Sequence, residues 1–534
     1  MDITGPAMNP ISAGLRISPV YTAPQTTPPS TANNSVQAVN SSTSSVSLGQ
    51  GSTDDSGYTY SSRGTLAGAS VRYVLQQDSM DKLGLSLLSG VQGNSLGDRL
   101  QGVGSALLKQ LAANGGQSIA QAAFSYRDAA EPDAAALKLR ADSLREAPGD
   151  AISLTLTSAS GATISLSVVS DENGLAVSAT VEGGELNENE LKGLAALADG
   201  FQSAIDGLTK QPPSLKLDAL VNYDSNLFGS LKLNATLQTA SGEPQVFDLS
   251  LDDKARSLSL QGPSGNLELN LDTRDSSLLG NASQRQAAIS NYLQQFDAAQ
   301  KRGNGDKDLV NLFKDAFVQL NSVDDGKTLS GSGPVLGKND RVLLSGLADF
   351  SASIGQAAKP VNPLLPGETD HFSYKVSQST SVRGEAQSTR SVQQDQQSSL
   401  KAAWHTSLNP EVELALGSDK KTQNYRYHEI DDQASSSTRM AWDKNNKRVE
   451  ASATQQSTQN ERVRTYVDGV LSDEVSTPRS VSQSRNLLGL LDDAFQRERK
   501  SLRDTGVSIL EAQLTARRSE WSLQADAGAV RTRG

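Results

Sequence analysis

Runs of strict period-2 alternation, each followed by a helix with one apolar face, recur three times along this chain. The three helices carry a related signature: Ala198-Asp199-Gly200-Phe201, Lys314-Asp315-Ala316-Phe317 and Asp492-Asp493-Ala494-Phe495. Alternation places every second side chain on one face of a strand, whereas a 3.6-residue period places an apolar stripe along one side of a helix. A chain patterned this way is α+β, and the reading here is of successive antiparallel sheet-plus-helix units with a disordered N-terminal segment.

The boundaries follow from where the patterns stop. Residues 1–56 form a Ser/Thr/Pro-rich head with almost no periodic apolar residues; such a segment buries too little to offset its ordering entropy and is expected to be disordered. Residues 57–149 read as a mixed, mainly helical lead-in, with alternation around Val71, Tyr73 and Leu75, a helix through Leu100, Val103, Leu107, Leu108 and Leu111, and another near 134–144. Residues 150–212 form the first sheet-plus-helix unit. Ile152, Leu154 and Leu156, then Ile164, Leu166 and Val168, then Leu175, Val177 and Val181 give three strands, and Asn187 with Glu190 reads as a helix-capping pair. Residues 213–322 repeat the scheme with four strands and two helices. A Gly/Pro-rich linker, 323–368, carries one apolar piece at 342–347. Residues 369–522 read as a polar antiparallel meander plus helix, with a hairpin at Asp468-Gly469, a helix over 487–503 and a last element near 507–514. The tail, 523–534, is expected to be loose.

Composition narrows the function classes. The chain has 534 residues, a net charge of -11, 36% hydrophobic residues and no cysteine. The acidic balance argues against nucleic acid or an anionic membrane as partner. Without cysteine there are no disulfides, thiolate metal sites or thiol nucleophiles. No run approaches the ~20 apolar residues of a spanning helix, so no membrane insertion is expected. The first residues lack the basic and apolar regions of a secretory signal, which leaves a cytoplasmic chain or one exported without a cleaved signal peptide.

Three blocks are distinctive: 190–208 followed by Pro212-Pro213; Tyr292-Leu293-Gln294-Gln295-Phe296-Asp297-Ala298-Ala299-Gln300; and Gly303-Asn304-Gly305-Asp306 leading to Phe313-Lys314-Asp315-Ala316-Phe317. Their order resembles a family of uncharacterised bacterial proteins, some of which carry the label "lactate dehydrogenase". The resemblance covers residues 60–500, implies relatives rather than a chemistry, and transfers no functional residues.

The residues themselves reject the NAD-dependent dehydrogenase label. A dinucleotide turn needs Gly-x-Gly-x-x-Gly between a buried strand and a helix. The nearest sequence, Gly331-Ser332-Gly333-Pro334-Val335-Leu336-Gly337, is one residue too long, contains Pro334 and follows a loop-like stretch. The three histidines, His371, His405 and His428, all fall in the polar meander. His428-Glu429 cannot both face one ion from a strand, because neighbours point to opposite faces. Neither Asp324-Asp325-Gly326 nor the 304–308 segment has the ligand order of a calcium loop, and no Gly-x-Ser-x-Gly elbow occurs. No catalytic, cofactor-binding or metal-ligating residue is assigned, and no cofactor.

Trp404, Tyr425, Tyr427 and Trp442 gather much of the aromatic surface in one region. They read either as a partner-binding platform for a glycan or a protein segment, or as the core of a polar sheet beneath the 487–491 helix face. Three functions fit. The first is a non-catalytic interaction or structural protein, not an enzyme, that binds a protein partner or itself through sheet edges or the aromatic patch of residues 369–484. The second is an enzyme or small-ligand binder with a site assembled from distant loops, using His405 or His428. The third is an envelope- or appendage-associated protein exported without a signal peptide.

Overall fold

Every stretch that alternates forms a strand, and all the strands join one sheet. The computed structural model describes residues 71–127, 132–322, 336, 341–384 and 389–530. The head at 1–56 lies outside them. The chain begins with β1 (Arg72–Leu75), α1 (Lys82–Val91), α2 (Leu96–Leu100), α3 (Val103–Ala113), β2 (Ile119–Tyr126) and α4 (Ala134–Glu146). A meander of β3 (Asp150–Ser158), β4 (Thr163–Asp171) and β5 (Gly174–Glu182) precedes α5 (Glu188–Leu208) and the short α6 (Asp218–Val221). A second meander, β6 (Phe228–Gln238), β7 (Pro244–Asp252), β8 (Ala255–Gly262) and β9 (Gly265–Asp272), precedes α7 (Ala282–Arg302) and α8 (Lys307–Asn321). After β10 (Asp349–Gly355) and β11 (Lys359–Pro360) come four long strands and a fifth: β12 (Thr369–Arg383), β13 (Ser391–Ser407), β14 (Tyr425–Trp442), β15 (Arg448–Val467) and β16 (Val470–Asn486). The chain closes with α9 (Leu488–Thr505), α10 (Leu510–Thr515) and α11 (Ala527–Val530).

The strand order is β1-β2-β5-β4-β3-β6-β7-β8-β9-β10-β12-β13-β14-β15-β16, with β11 paired to β12 off this path. The α+β class holds, but the separate units do not. Leu154 lies opposite Leu233, which joins the first meander to the second, and Ala352 lies between Leu269 and Val376, which joins the second to the third. The physical reason is that each isolated meander would end in a strand with unpaired N–H and C=O groups, and pairing end to end removes those edges. The mixed lead-in, with four helices, also contributes β1 and β2 to the sheet. One further expectation is corrected. Within the linker, Val342, Leu343, Leu344 and Leu347 are buried and lead directly into β10.

The inner face of the sheet carries α1, α3, α5, α7 and α8 over a continuous apolar core that includes Leu107, Phe201, Leu233, Leu269, Phe296 and Phe317. On the outer face α4 covers the sheet with an apolar seam, packing Leu137, Ala141 and Leu144 on Ala122, Phe124, Val169 and Ala176. The expected capping pair is present: Asn187 Oδ1 accepts from the Glu190 N–H at 3.0 Å and the Glu190 carboxylate accepts from the Asn187 N–H at 2.9 Å. The tail is not loose over 523–530, because Leu523, Ala527 and Val530 are buried against the inner face of the long strands.

Candidate functional site: a polar trough and a buried carboxylate

Strand register stacks the outer-face side chains into rungs that run across the strands. One rung reads Lys232, Ser250, Ser257, Asn270, Ser351, Ser377, Gln397, Ser435 and Gln456. The next reads Asn234, Asp248, Ser259, Glu268, Ser353, Lys375, Ser399, Gln433 and Thr458. Between them lie two cavities that share Glu268, one of about 720 Å³ over β9–β15 and one of about 310 Å³ over β6–β9. Nine strands at ~4.8 Å spacing make this trough about 38 Å long. The side chains of the two rungs are mainly hydroxyl and amide, with Lys232, Asp248, Glu268 and Lys375 as the charged members, and Val376, Leu249 and Leu258 also border the floor. No His stands among them, so the trough lacks the usual general base.

The opposite face of the same strands shows what such side chains do. Gln455 Nε2 donates to the carbonyls of Ser519 and Ser522, Ser457 Oγ to that of Ala525, and Ser436 Oγ to that of Trp521. Gln396 Oε1 accepts from the Leu523 N–H at 2.9 Å and Gln459 Oε1 from the Ala527 N–H at 3.2 Å. The C-terminal segment is therefore held by its main chain, through glutamine and serine side chains.

At one end of the long strands, the outer face carries a buried ionic cluster. Asp370 Oδ1 lies 2.6 Å from His405 Nδ1 and also accepts from the His405 N–H at 3.1 Å. Glu368 lies on the other side of the ring, its Oε2 3.5 Å from His405 Nε2; that separation is a charge contact and leaves Nε2 without a hydrogen bond. The Glu368 carboxylate accepts from Tyr425 OH at 2.7 Å and Tyr466 OH at 2.9 Å, and pairs with Arg464 at 3.1 Å. Arg464 also meets Glu429, which holds Arg462 at 2.7 Å. Burial alone pulls His405 down, but Asp370 and Glu368 outweigh it, so the imidazole keeps its proton above the usual histidine range. Burial alone pushes Glu368 up, but His405, Tyr425, Tyr466 and Arg464 hold its carboxyl below the usual range. Burial and the nearby carboxylates push the Tyr427 phenol up to about 12. By linkage, the His405 contribution to stability is full below about pH 6.5 and is lost as pH rises through its raised value; that of Glu368 is full above about pH 4.3 and is lost as pH falls through its lowered value.

The four aromatic candidates go to three places. Tyr425 and Tyr427 meet Tyr466 and His405 in the cluster, with ring centroids of Tyr425 and Tyr466 4.7 Å apart, and they are buried under a loop carrying Leu414 and Leu416. Trp404 is on the inner face, stacked on His428 at 4.8 Å. Trp442 lies at the far end of β14 with Met440, Leu487 and Leu491, under the Arg390 guanidinium. Both Tyr425 and Trp442 thus serve as core. His428 and Glu429 do face opposite sides: His428 Nε2 is 3.0 Å from Thr406 Oγ1, and burial lowers its pKa, while Glu429 pairs with arginines outside. His371 Nδ1 contacts the Thr369 carbonyl at 3.0 Å and stays out of the cluster. Glu368, Asp370, Arg464 and Tyr466 were not legible as site residues. Counting outward from the 444–447 turn places Tyr466 opposite Tyr425 and Arg464 opposite Tyr427, so half of the signal was present; Glu368 carries none.

Among the described residues no group of three or more His, Cys, Asp or Glu is placed to hold a metal ion, and no helix is long and apolar enough to cross a membrane. Comparison with protein families, curated proteins and solved structures gives no match.

Proposed function

We propose that this chain is a non-catalytic interaction protein whose outer trough holds an extended, uncharged, polar polypeptide segment. The supporting observation is the internal example: on the inner face of β13–β15, glutamine and serine side chains already grip a non-helical segment by its N–H and C=O groups. The trough presents Gln397, Gln433, Ser435, Gln456 and Thr458 from those strands, with no helix or strand of the described residues lining it from above. Main-chain hydrogen bonds are a recurring source of affinity in the capture of extended peptides, and they ask little of the partner's side chains. The lining has no aromatic ring to stack on a sugar face. The buried Tyr425 and Tyr427 supply no exposed platform either.

A photo-cross-linking amino acid placed at Ser435 or Gln397 of the full chain, in the cells that make it, tests the reading. The expected result is one polypeptide adduct from both positions, mapping to a single extended stretch of the partner and weakened about tenfold by Gln433→Arg, the loss of one or two hydrogen bonds. No polypeptide adduct, an adduct indifferent to Gln433→Arg, or a glycan adduct would each sink it.

Self-association through the sheet edge is the second reading. Its supporting observation is β16, which ends the strand order and is exposed along most of its 17 residues. Pro478, Asp473, Glu474 and Arg479 sit along that edge, and residues of this kind discourage edge pairing. The trough is therefore the favoured surface.

A further inference from the structure

The Glu368 cluster divides unequally between rigid and irregular chain. Its donors, His405, Tyr425, Arg464 and Tyr466, stand on three adjacent strands, β13, β14 and β15, held by the ladder. Glu368, which these donors share, stands instead on an eight-residue connection, 361–368, between β11 and β12. That connection contains Pro363, Pro366 and Gly367, and a side chain at Gly367 would meet only open space. Four donors converging on one carboxylate, two of them cationic, describe a receptor for a carboxylate. The buried His405 Nε2, with no hydrogen-bond partner and aimed at Glu368, is a donor that the resident carboxylate does not fully use. A ligand placed slightly deeper would complete that bond.

We propose that Tyr425, Tyr466, Arg464 and His405 form a carboxylate-binding site, filled in the resting chain by Glu368 as an internal ligand and open to a partner's carboxylate when the 361–368 connection lifts. The connection is lightly held. Besides Glu368, it is anchored by Asn362 Nδ2 donating to Tyr425 OH at 2.9 Å, while Val361, Leu364 and Leu365 remain exposed. The surrounding charges are accounted for: Asp370 pairs with His405, and Glu429 and Arg462 flank Arg464. A tethered ligand acts at millimolar effective concentration, so an external carboxylate must be abundant, or linked to a second contact, to displace it.

Acetate is the probe, compared with chloride at equal ionic strength. In the full chain with Glu368→Ala, acetate is expected to raise the melting temperature, whereas the same acetate leaves the melting temperature of the wild type unchanged. Adding Arg464→Met removes a charge-assisted hydrogen bond and is expected to weaken the acetate effect about tenfold or more. The effect is also expected to fade as pH rises and His405 loses its proton. If Glu368→Ala does not fold in chloride, its refolding yield in acetate against chloride gives the same comparison. For exchangeability, amide hydrogen exchange of residues 359–370 in the wild type is expected to quicken with acetate and not with chloride. An absent acetate effect in Glu368→Ala, one undiminished by Arg464→Met, or wild-type exchange that ignores acetate would overturn the proposal. None of these outcomes bears on the trough.

Discussion

The two halves of the sheet have the same register logic but differ in the middle of their inner faces. In β6–β9 that face is Leu231, Leu233, Phe247, Leu249, Leu258, Leu260, Leu267 and Leu269, and helices α7 and α8 close it with Tyr292, Phe296, Phe313 and Phe317. In β12–β15 the face stays apolar at its two ends, with Phe372, Tyr374, Leu400 and Ile430 at one and Val392, Met440, Trp442 and Ala453 at the other, but its middle band becomes Gln378, Gln394, Gln396, Ser436, Gln455, Ser457 and Gln459, all buried. What covers this band is mostly irregular chain, the 342–348 stretch and the 516–527 stretch. A helix satisfies its own N–H and C=O groups along its length and needs only an apolar surface beneath it. Irregular chain brings orphaned polar groups, and burying them without partners costs about 1–3 kcal/mol each. The polar rows supply those partners: Gln394 Oε1 accepts from the Ser345 N–H at 2.8 Å, and Gln378 Nε2 donates to the Leu347 and Ala348 carbonyls at 3.2 Å each. The composition of a sheet face thus decides what kind of chain can lie on it.

The comparison breaks most visibly where the apolar half is hollowed. Phe317 is fully buried, with edge-on ring contacts to Tyr292, Phe296 and Phe350 at 5.4, 5.2 and 5.2 Å. Phe317→Ala is expected to cost about 3–5 kcal/mol in chemical denaturation. It should do so while amide protection of 516–530 is unchanged below the global transition. Selective release of that segment would show that the polar half borrows its stability from the apolar one.

Much of this architecture was legible. The alternation of β3–β9, the capping pair Asn187 and Glu190, and the hairpin at Asp468-Gly469 are all local, and local rules found them. Asp468 and Gly469 do take the positive φ values, 48° and 75°, that this turn needs. The misses have separate causes. In β2, Ala122, Ala123 and Phe124 are all buried because α4 covers the second face, and two-sided burial erases the period of 2. β10 alternates through Phe350, Ala352 and Ile354, but its Gly- and Pro-rich surroundings conceal a seven-residue strand. That the meanders fuse is a property of strand pairs distant in sequence, such as β3 with β6. The candidate site was half legible for the same reason: hairpin register gathers Tyr425, Tyr427, Arg464 and Tyr466, but Glu368 reaches them from 57 and 98 residues away. The tail was read as loose because its partners are polar side chains, which hydrophobic periodicity does not register.

A glutamine at the centre of the polar face sharpens the contrast. Gln455 donates to two carbonyls of the C-terminal segment, those of Ser519 at 3.0 Å and Ser522. Gln455→Leu keeps the volume and makes the face resemble β6–β9. On hydrophobicity alone it would be neutral or stabilising. With the buried Ser522 carbonyl and the partly buried Ser519 carbonyl both losing this donor, it is expected to cost about 1–3 kcal/mol. Hydrogen exchange over 516–530 should quicken before any other part of the chain. A neutral result would mean that this segment is held by Trp521 and Leu523 packing, with glutamine an onlooker.

The smallest expected effect isolates one hydroxyl. Ser457 Oγ donates to the Ala525 carbonyl at 2.6 Å, while the Ala525 N–H is held separately by Gln295 Oε1 at 2.9 Å. Ser457→Ala therefore removes one bond from a segment that stays anchored, and about 1 kcal/mol of stability should go with it. Ser259→Ala, at an outer-face position of β8 that lines the trough, is the control and should fall within about 0.5 kcal/mol of wild type. The difference between these two serines, measured by denaturant midpoint, tests the contrast at its finest grain. Both lie on strands of one sheet, but of the two only Ser457 has a partly buried main-chain carbonyl waiting for it. Equal effects would mean that the inner hydroxyls are ordinary strand residues and that the cover of the polar half is chosen by shape alone.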